Sequence, residues 1–250
     1  MTSFRLLTYN IMRGGVGREG ALAAVIGACA PDLVLLQEAT SPKVVETLAL
    51  ATGMGEWRAY HGQSLAFLSR VPVAFAAWHR PRISRHAFIE VVPGGTALRV
   101  FGVHLSAVHA AWTERRRVLE LRALLRPVKA RQEGLHLLAG DFNTLAPGAP
   151  FEVSSLPWRL RPLVWLSGGA VRWRTIQTVL DSGYVDTFRR IHPDDPGLTL
   201  PTSGPHVRLD YVFTPMAFAS RVTACEVRRT PDVVRSASDH FPLLVELSDA

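Results

Sequence analysis

Eight polar side chains stand at or beside the ends of apolar runs in this 250-residue chain, and their types suit one kind of chemistry. Asn10 ends a first strand expected over Arg5–Tyr9, and Glu38 follows the apolar run Leu33–Gln37. His104 lies within Leu98–Leu105, and Asp141 and Asn143 follow Leu135–Ala139. Asp210 lies at the start of Leu209–Phe213, and Asp239 and His240 precede Leu243–Leu247. Strand ends and the loops beside them are where a rigid scaffold displays functional groups. Carboxylates and carboxamides without cysteine make a hard oxygen site, suited to Mg²⁺ or Mn²⁺ rather than Zn²⁺. A histidine beside such a site is a candidate general base. Each residue alone has a plainer reading. Asn after a strand is usually a turn residue, Asp-Phe-Asn fits an Asx turn, and a lone His is more often a satisfied core or surface group. Only the order and spacing of the whole set argue for a site.

The elements that must position these residues follow from periodicity. Leu33–Gln37 is a continuous apolar run of strand length, as in strands buried on both faces. A helix is expected over Gly20–Ala30, stopped by Pro31, and another from Pro42 to about Ala51 with Ser41 as its N-cap. Strands follow at Ser64–Ser69, Val73–Trp78, Ala87–Val92 and Leu98–Leu105, separated by proline and glycine. A helix over Thr113–Leu125 carries Val118, Leu121, Leu124 and Leu125 at helical spacing, and Arg115, Arg116 and Arg117 read as its solvated face. Residues 145–170 read as a long surface excursion that carries Trp158, Trp165 and Trp173, followed by a helix near 172–181; packing of these tryptophans on the core is the simpler expectation. Short strands close the chain at Leu209–Phe213, Val222–Arg228 and Leu243–Leu247. Many strands with few helices predict two packed sheets covered by helices, in one domain over residues 1–250.

Composition narrows the class. Hydrophobic residues at 48 % and charged residues at 20 % describe an ordinary globular chain, not a coiled coil or a disordered tail. Two cysteines, Cys29 and Cys225, cannot build a disulfide scaffold or a cysteine zinc cage. The N-terminal residues carry no secretory pattern and no apolar run reaches transmembrane length, which predicts a soluble, cytoplasmic and monomeric protein. The formal charge is +7, and 26 of the 28 basic residues are Arg. Residues 110–175 hold eleven basic and five acidic residues, so most of the excess sits mid-chain. A GC-rich genome accounts for arginine over lysine equally well. A basic patch nonetheless attracts polyanions such as nucleic acid or anionic lipid headgroups, and the arginine fork suits phosphate.

Taken together, Leu7-Thr8-Tyr9-Asn10, Leu35-Leu36-Gln37-Glu38, Phe67-Leu68-Ser69-Arg70, Val103-His104-Leu105, Gly140-Asp141-Phe142-Asn143-Thr144, Arg208-Leu209-Asp210-Tyr211 and Ser238-Asp239-His240-Phe241-Pro242 resemble the endonuclease/exonuclease/phosphatase superfamily over nearly the whole chain. The resemblance implies a four-layer α-β-β-α sandwich, with two mixed, mostly antiparallel sheets face to face and helices outside. It implies a metal-dependent phosphoesterase that attacks phosphorus in line with water. Glu38 would be the principal ligand of Mg²⁺ or Mn²⁺, with Asn10 and Asp239 on the metal or its waters. His240 would take the proton from water, and Asp210 would hold its ring. Asp141 would orient the nucleophile or serve the leaving group, Asn143 would hold a phosphate oxygen, and His104 would contact the phosphate or protonate the leaving oxygen.

The substrate stays open at this point. The Trp-Cys-Asp-Arg signature of inositol phosphatases is absent. Val207 replaces the aromatic usual in abasic-site enzymes, and His104 stands where those have Tyr. Nucleic acid is the expected substrate; a phosphomonoester or a phospholipid headgroup is the alternative. Two rivals come from other classes. Gly15-Val16-Gly17-Arg18-Glu19-Gly20 matches the dinucleotide-binding glycine pattern, but Asn10–Gly14 separates it from the strand, and the later strands do not alternate with helices. A non-catalytic nucleic-acid-binding protein on the same fold is the other.

Overall fold

The computed structural model describes residues 3–82, 84, 87–107, 111–131, 133–149, 158 and 173–248. In chain order the main elements are β1 (Phe4–Asn10), α1 (Glu19–Cys29), β2 (Leu33–Gln37), α2 (Pro42–Thr52), β3 (Glu56–Arg58), β4 (Ala66–Ser69), β5 (Val73–His79), β6 (Phe88–Pro93) and β7 (Arg99–His104). Then come α3 (Ala111–Arg131), β8 (His136–Asp141), α4 (Arg174–Asp181), β9 (Tyr184–Asp186), α5 (Thr187–Ile191), β10 (Asp210–Pro215), β11 (Val222–Val227), α6 (Val234–Ala237) and β12 (Leu243–Leu247).

Twelve strands form two sheets of six, ordered β11-β12-β1-β2-β4-β3 and β5-β6-β7-β8-β10-β9. Each has one parallel pair, β1 with β2 and β7 with β8, and every other pairing is antiparallel. Parallel neighbours require a crossover, which α1 and α3 supply on the outer faces. Period-two alternation then sorts the side chains. Leu6, Leu33, Leu35, Val100, Leu137, Ala139, Val212 and Val245 face inward and form the layer between the sheets. Leu7, Val34 and Leu36 face outward under α1 and α2, while Val103, Leu138 and Phe213 face outward under α3 and α4. The result is the four-layer sandwich.

The same alternation places the site. Counting on from Leu6 gives Asn10, from Val100 gives His104, from Leu137 gives Asp141, and back from Val212 gives Asp210, all on inner faces at one end. The register sets His104 opposite Asp141 and Asp141 opposite Asp210. Gly140 allows this: a Cβ there would stand 1.9 Å from the Val103 carbonyl oxygen, so only glycine lets β7 and β8 approach beside Asp141.

Several expectations are corrected. Arg117 is not part of a solvated face; it is 1 % exposed and paired with Glu114. It lies four residues before Leu121 and seven before Leu124, on the helix side that packs on the sheet. Ser41 stands at the N-cap of α2 as expected, but its hydroxyl makes no capping bond, and its carbonyl receives Val44 and Val45 N–H. Helix α3 continues through Pro127 to Arg131, and the strand expected from Ser64 begins at Ala66. Trp158 and Trp173 are not packed away, being 72 % and 46 % exposed. Trp165 and most of the 145–170 excursion lie outside the described residues. Among the described residues no helix is long and apolar enough to cross a membrane.

Candidate active site

Asp141 is the centre of the constellation. Its Oδ2 accepts from Asn10 Nδ2 at 3.0 Å and from Asn143 Nδ2 at 3.2 Å, and Oδ1 accepts from Asn143 N–H at 2.8 Å. Two imidazoles face the same oxygen: His104 Nε2 at 3.9 Å and His240 Nε2 at 4.0 Å. Those gaps exceed a hydrogen bond and match the room a bridging oxygen needs. His240 Nδ1 is bonded to Asp210 Oδ2 at 2.8 Å, which fixes the ring and aims Nε2 into the pocket. His104 Nδ1 is held by the Ser64 hydroxyl, whose oxygen also accepts from Glu38 N–H at 3.3 Å.

Glu38 enters from the first sheet. Asn10 Nδ2 reaches its Oε1 at 3.3 Å, so one amide group spans Glu38 and Asp141. Arg13 N–H donates to Glu38 Oε2 at 2.6 Å. Asp239 is half-buried beside His240, with Ser238 Oγ 3.4 Å from its Oδ1. The same Ser238 hydroxyl donates to Asn10 O at 2.7 Å and joins the first and last site loops. Asn143 Nδ2 donates to Asp141 Oδ2 and to Leu105 O at 3.0 Å, so the side chain positions Asp141.

Backbone strain gathers here. Of five non-glycine residues with positive φ among the described residues, four are Met12 (51°), Arg13 (49°), Glu38 (57°) and Asn143 (51°). Such conformations persist where the surroundings over-determine them. The Met12–Arg13 turn is held by Arg18, whose guanidinium donates to Ile11 O at 2.9 Å, to Met12 O, and across to Ala237 O at 2.5 Å. Arg18 thus ties the β1–α1 loop to the segment that carries Asp239 and His240. Ser64 carries no signal in the sequence, because it works between segments far apart in the chain; Arg18 and Ser238 stand in quoted motifs, but their positioning bonds to Ala237 O and Asn10 O are not legible there.

The electrostatics follow from burial. Asp141 and Asp210 are each 1 % exposed. Burial, reinforced by Asp210, raises the Asp141 pKa against the lowering effect of the two histidines. Burial lowers the pKa of His240, but the charge and hydrogen bond of Asp210, with Asp141 and Asp239, outweigh it and raise the value to about 10. Asp210 Oδ1 is buried with no hydrogen-bond partner. Ligand atoms of Asp141, Asp210 and His240 lie within 4.8 Å of one another. Surplus carboxylate charge, an orphaned carboxylate oxygen and an all-oxygen and imidazole donor set fit a hard divalent cation.

This geometry accompanies a match to the sequence pattern of the Endonuclease/Exonuclease/phosphatase family over residues 7–240. The chain belongs to that family. No curated protein matches the sequence. Solved structures share the fold. An AP endonuclease from Archaeoglobus fulgidus is 17 % identical with a TM-score of 0.76, covering 98 % of this chain and 99 % of its own. The 3′–5′ exonuclease NExo from Neisseria meningitidis is 20 % identical at 0.75, covering 98 % and 100 %. A substituted form of the 3′ phosphatase NExo from Neisseria, bound to a product DNA hairpin, is 19 % identical at 0.73, covering 98 % and 99 %. At such identities the likeness speaks for the sandwich. Family membership sets aside the nicotinamide reading of the glycine motif, whose residues here lead from the strained Met12–Arg13 turn into α1.

Proposed function

We propose that this protein is a metal-dependent phosphodiesterase that hydrolyses nucleic acid by in-line attack of water on phosphorus. The observation that carries the reading is the buried Asp210–His240 pair, with Nε2 aimed at Asp141 across a 4.0 Å gap beside Glu38. His240 Nε2 takes the proton of the attacking water. Asp210 keeps the ring in the required tautomer and stabilises the imidazolium formed. Asp141, its two oxygens held by Asn10 and Asn143, orients the attacking water or serves the leaving oxygen. His104, held by Ser64, donates to the phosphoryl or leaving oxygen.

Mg²⁺ or Mn²⁺ would be held by Glu38 and Asp239, with Asn10 beside them, while Asp210 Oδ2 holds the His240 ring. Bound there, it supplies positive charge to the phosphoryl oxygens and offsets the carboxylates that raise the His240 pKa. Nucleic acid is favoured as substrate by the structural neighbours, an AP endonuclease and an exonuclease, and by the product DNA on a third. The basic middle of the chain supports the same choice.

The test is nicking of supercoiled plasmid with Mg²⁺, Mn²⁺ or EDTA, beside His240→Ala, with bis(p-nitrophenyl) phosphate in parallel. Metal-dependent nicking lost in the variant supports the reading. Hydrolysis of the small ester without nicking would sink the nuclease assignment and favour a phosphomonoester or lipid headgroup. Silence on both would leave a binding protein.

A further inference from the structure

Helix α3 treats its basic residues in two ways. Arg116 pairs with Glu120 and Arg117 with Glu114. Arg115, Arg122, Arg126 and Lys129 are exposed, and none has an acidic partner among the described residues. At about 100° per residue these four fall within a stripe about 60° wide, opposite the buried Leu121, Leu124 and Val128. The spacing is unfavourable for a helix that is merely solvated. Arg122 and Arg126 are four residues apart, Arg126 and Lys129 three apart, and like charges at those spacings repel. Neighbouring positions on the same helix use glutamate to avoid this.

The stripe has a shape and a direction. Arg122, Arg126 and Lys129 line one bank of a groove of about 720 Å³ between α3 and α4, floored by His136 and Tyr184. Asp181 on the far bank is engaged by Gln177 at 2.7 Å. The N-terminal end of α3 docks at the site, because Arg117 Nη1 donates to Ser106 O two residues past His104. From Arg115 to Lys129 the helix axis runs about 21 Å, at about 1.5 Å per residue. One strand of duplex DNA carries about six phosphates over that length.

We propose that the groove beside α3 is an accessory track for a polynucleotide backbone, leading away from the active site, with Arg115, Arg122, Arg126 and Lys129 on its phosphates. The proposal rests on the nucleic-acid reading above and extends it to substrates several nucleotides long. A groove favours a chain over a bilayer, since a flat membrane reaches a crest but not the floor between two helices. The contacts are with phosphate, so the track confers affinity without sequence preference.

The experiment compares wild type, Arg122→Gln/Arg126→Gln/Lys129→Gln, and a charge control, Lys43→Gln/Arg58→Gln. Binding to a labelled 30-base-pair DNA duplex, a 6-base-pair duplex, and phosphatidylserine/phosphatidylcholine vesicles is measured in EDTA over a salt series. The triple variant should bind the 30-mer 10- to 100-fold more weakly at low salt. Its slope of log K against log salt should fall by about 2–3, since each lost phosphate contact removes about 0.9. The 6-mer, hydrolysis of bis(p-nitrophenyl) phosphate and the melting temperature should change little, and the control should bind like wild type. An unchanged 30-mer affinity and slope would overturn the proposal, as would an equal loss for the 6-mer or in the control. Vesicle binding lost while duplex binding is kept would assign the stripe to a membrane instead. Because EDTA removes catalysis, an enzyme that fails to nick plasmid can still show or lack the track.

Discussion

Glu114 offers a quantitative test of how the second sheet's helices hold the site. The carboxylate is 2 % exposed. It accepts from Arg117 Nε at 3.2 Å and Nη2 at 2.8 Å, from Thr144 Oγ1 at 3.0 Å, and from Thr175 N–H at 2.7 Å and Oγ1 at 2.9 Å. It thereby joins the first turns of α3 and α4 to the residue following Asn143. Glu114→Ala removes the carboxylate paired with the buried Arg117 guanidinium, a loss that costs about 3–5 kcal/mol. For a chain of this length that lowers the melting temperature by roughly 6–20 °C, at about 2–4 °C per kcal/mol. The double variant Glu114→Leu/Arg117→Met removes both charges and fills the same space. It should recover at least half of the loss, leaving a coupling of at least about 2 kcal/mol. Urea unfolding followed by far-UV circular dichroism measures these two and the single variants Glu114→Leu and Arg117→Met that complete the cycle. Should Glu114→Ala cost under about 1 kcal/mol, or the single losses simply add in the double, the reading of a buried, mutually dependent pair is refuted.

Further outcomes follow from the same structure. Asp210→Asn and His240→Ala should each reduce kcat by about 10²–10⁴ with little change in melting temperature, read on plasmid or on the small diester. Arg18→Ala releases the turn beside Glu38 from the segment before Asp239, so kcat should fall about 10- to 100-fold; Arg18→Lys should not restore it, because one ammonium cannot span three carbonyls in two loops. His136, bonded to Tyr184 OH at 2.7 Å and Gly134 O at 2.8 Å, has its pKa lowered chiefly by burial. Its folded state prefers the neutral ring, so its contribution to stability is present above the ordinary histidine range near about 6.5 and drains away as pH falls below it. Melting temperatures between pH 7.5 and 5.5 should therefore fall more steeply for wild type than for His136→Gln.

Much of the architecture was legible because burial writes itself into period-two patterns. Leu33–Gln37 and Leu243–Leu247 are legible with the observed boundaries, and Asn10, His104 and Asp141 end inward-facing rows of their strands. Strands of three residues and a helix of five are too short to show such a pattern. Strand β3, three residues with both ends exposed, went unread, as did β9 and α5, whose places come from pairing with β10 and from Asp186 capping Arg189 N–H. Arg117 shows a second limit. A run of three arginines reads as surface unless the helix phase is fixed, and only the Glu114 and Leu121 spacing fixes it. The motif arginine Arg208 shows a third: its fork is spent on Asp186 at 3.1 and 2.5 Å, with its guanidinium 4.5 Å above the Tyr211 ring, so it stiffens the scaffold.

The two sheets divide the constellation between them. Asn10, Glu38, Asp239 and His240 belong to one, and His104, Asp141, Asn143 and Asp210 to the other. The Asn10–Asp141 and His240–Asp210 bonds exist only once the apolar faces have closed. Turnover is therefore a report of docking rather than of secondary structure. A species with both sheets formed but slid apart would keep its ellipticity and lose its chemistry. During synthesis the same arrangement leaves the site incomplete until His240 has emerged and β12 has paired with β1.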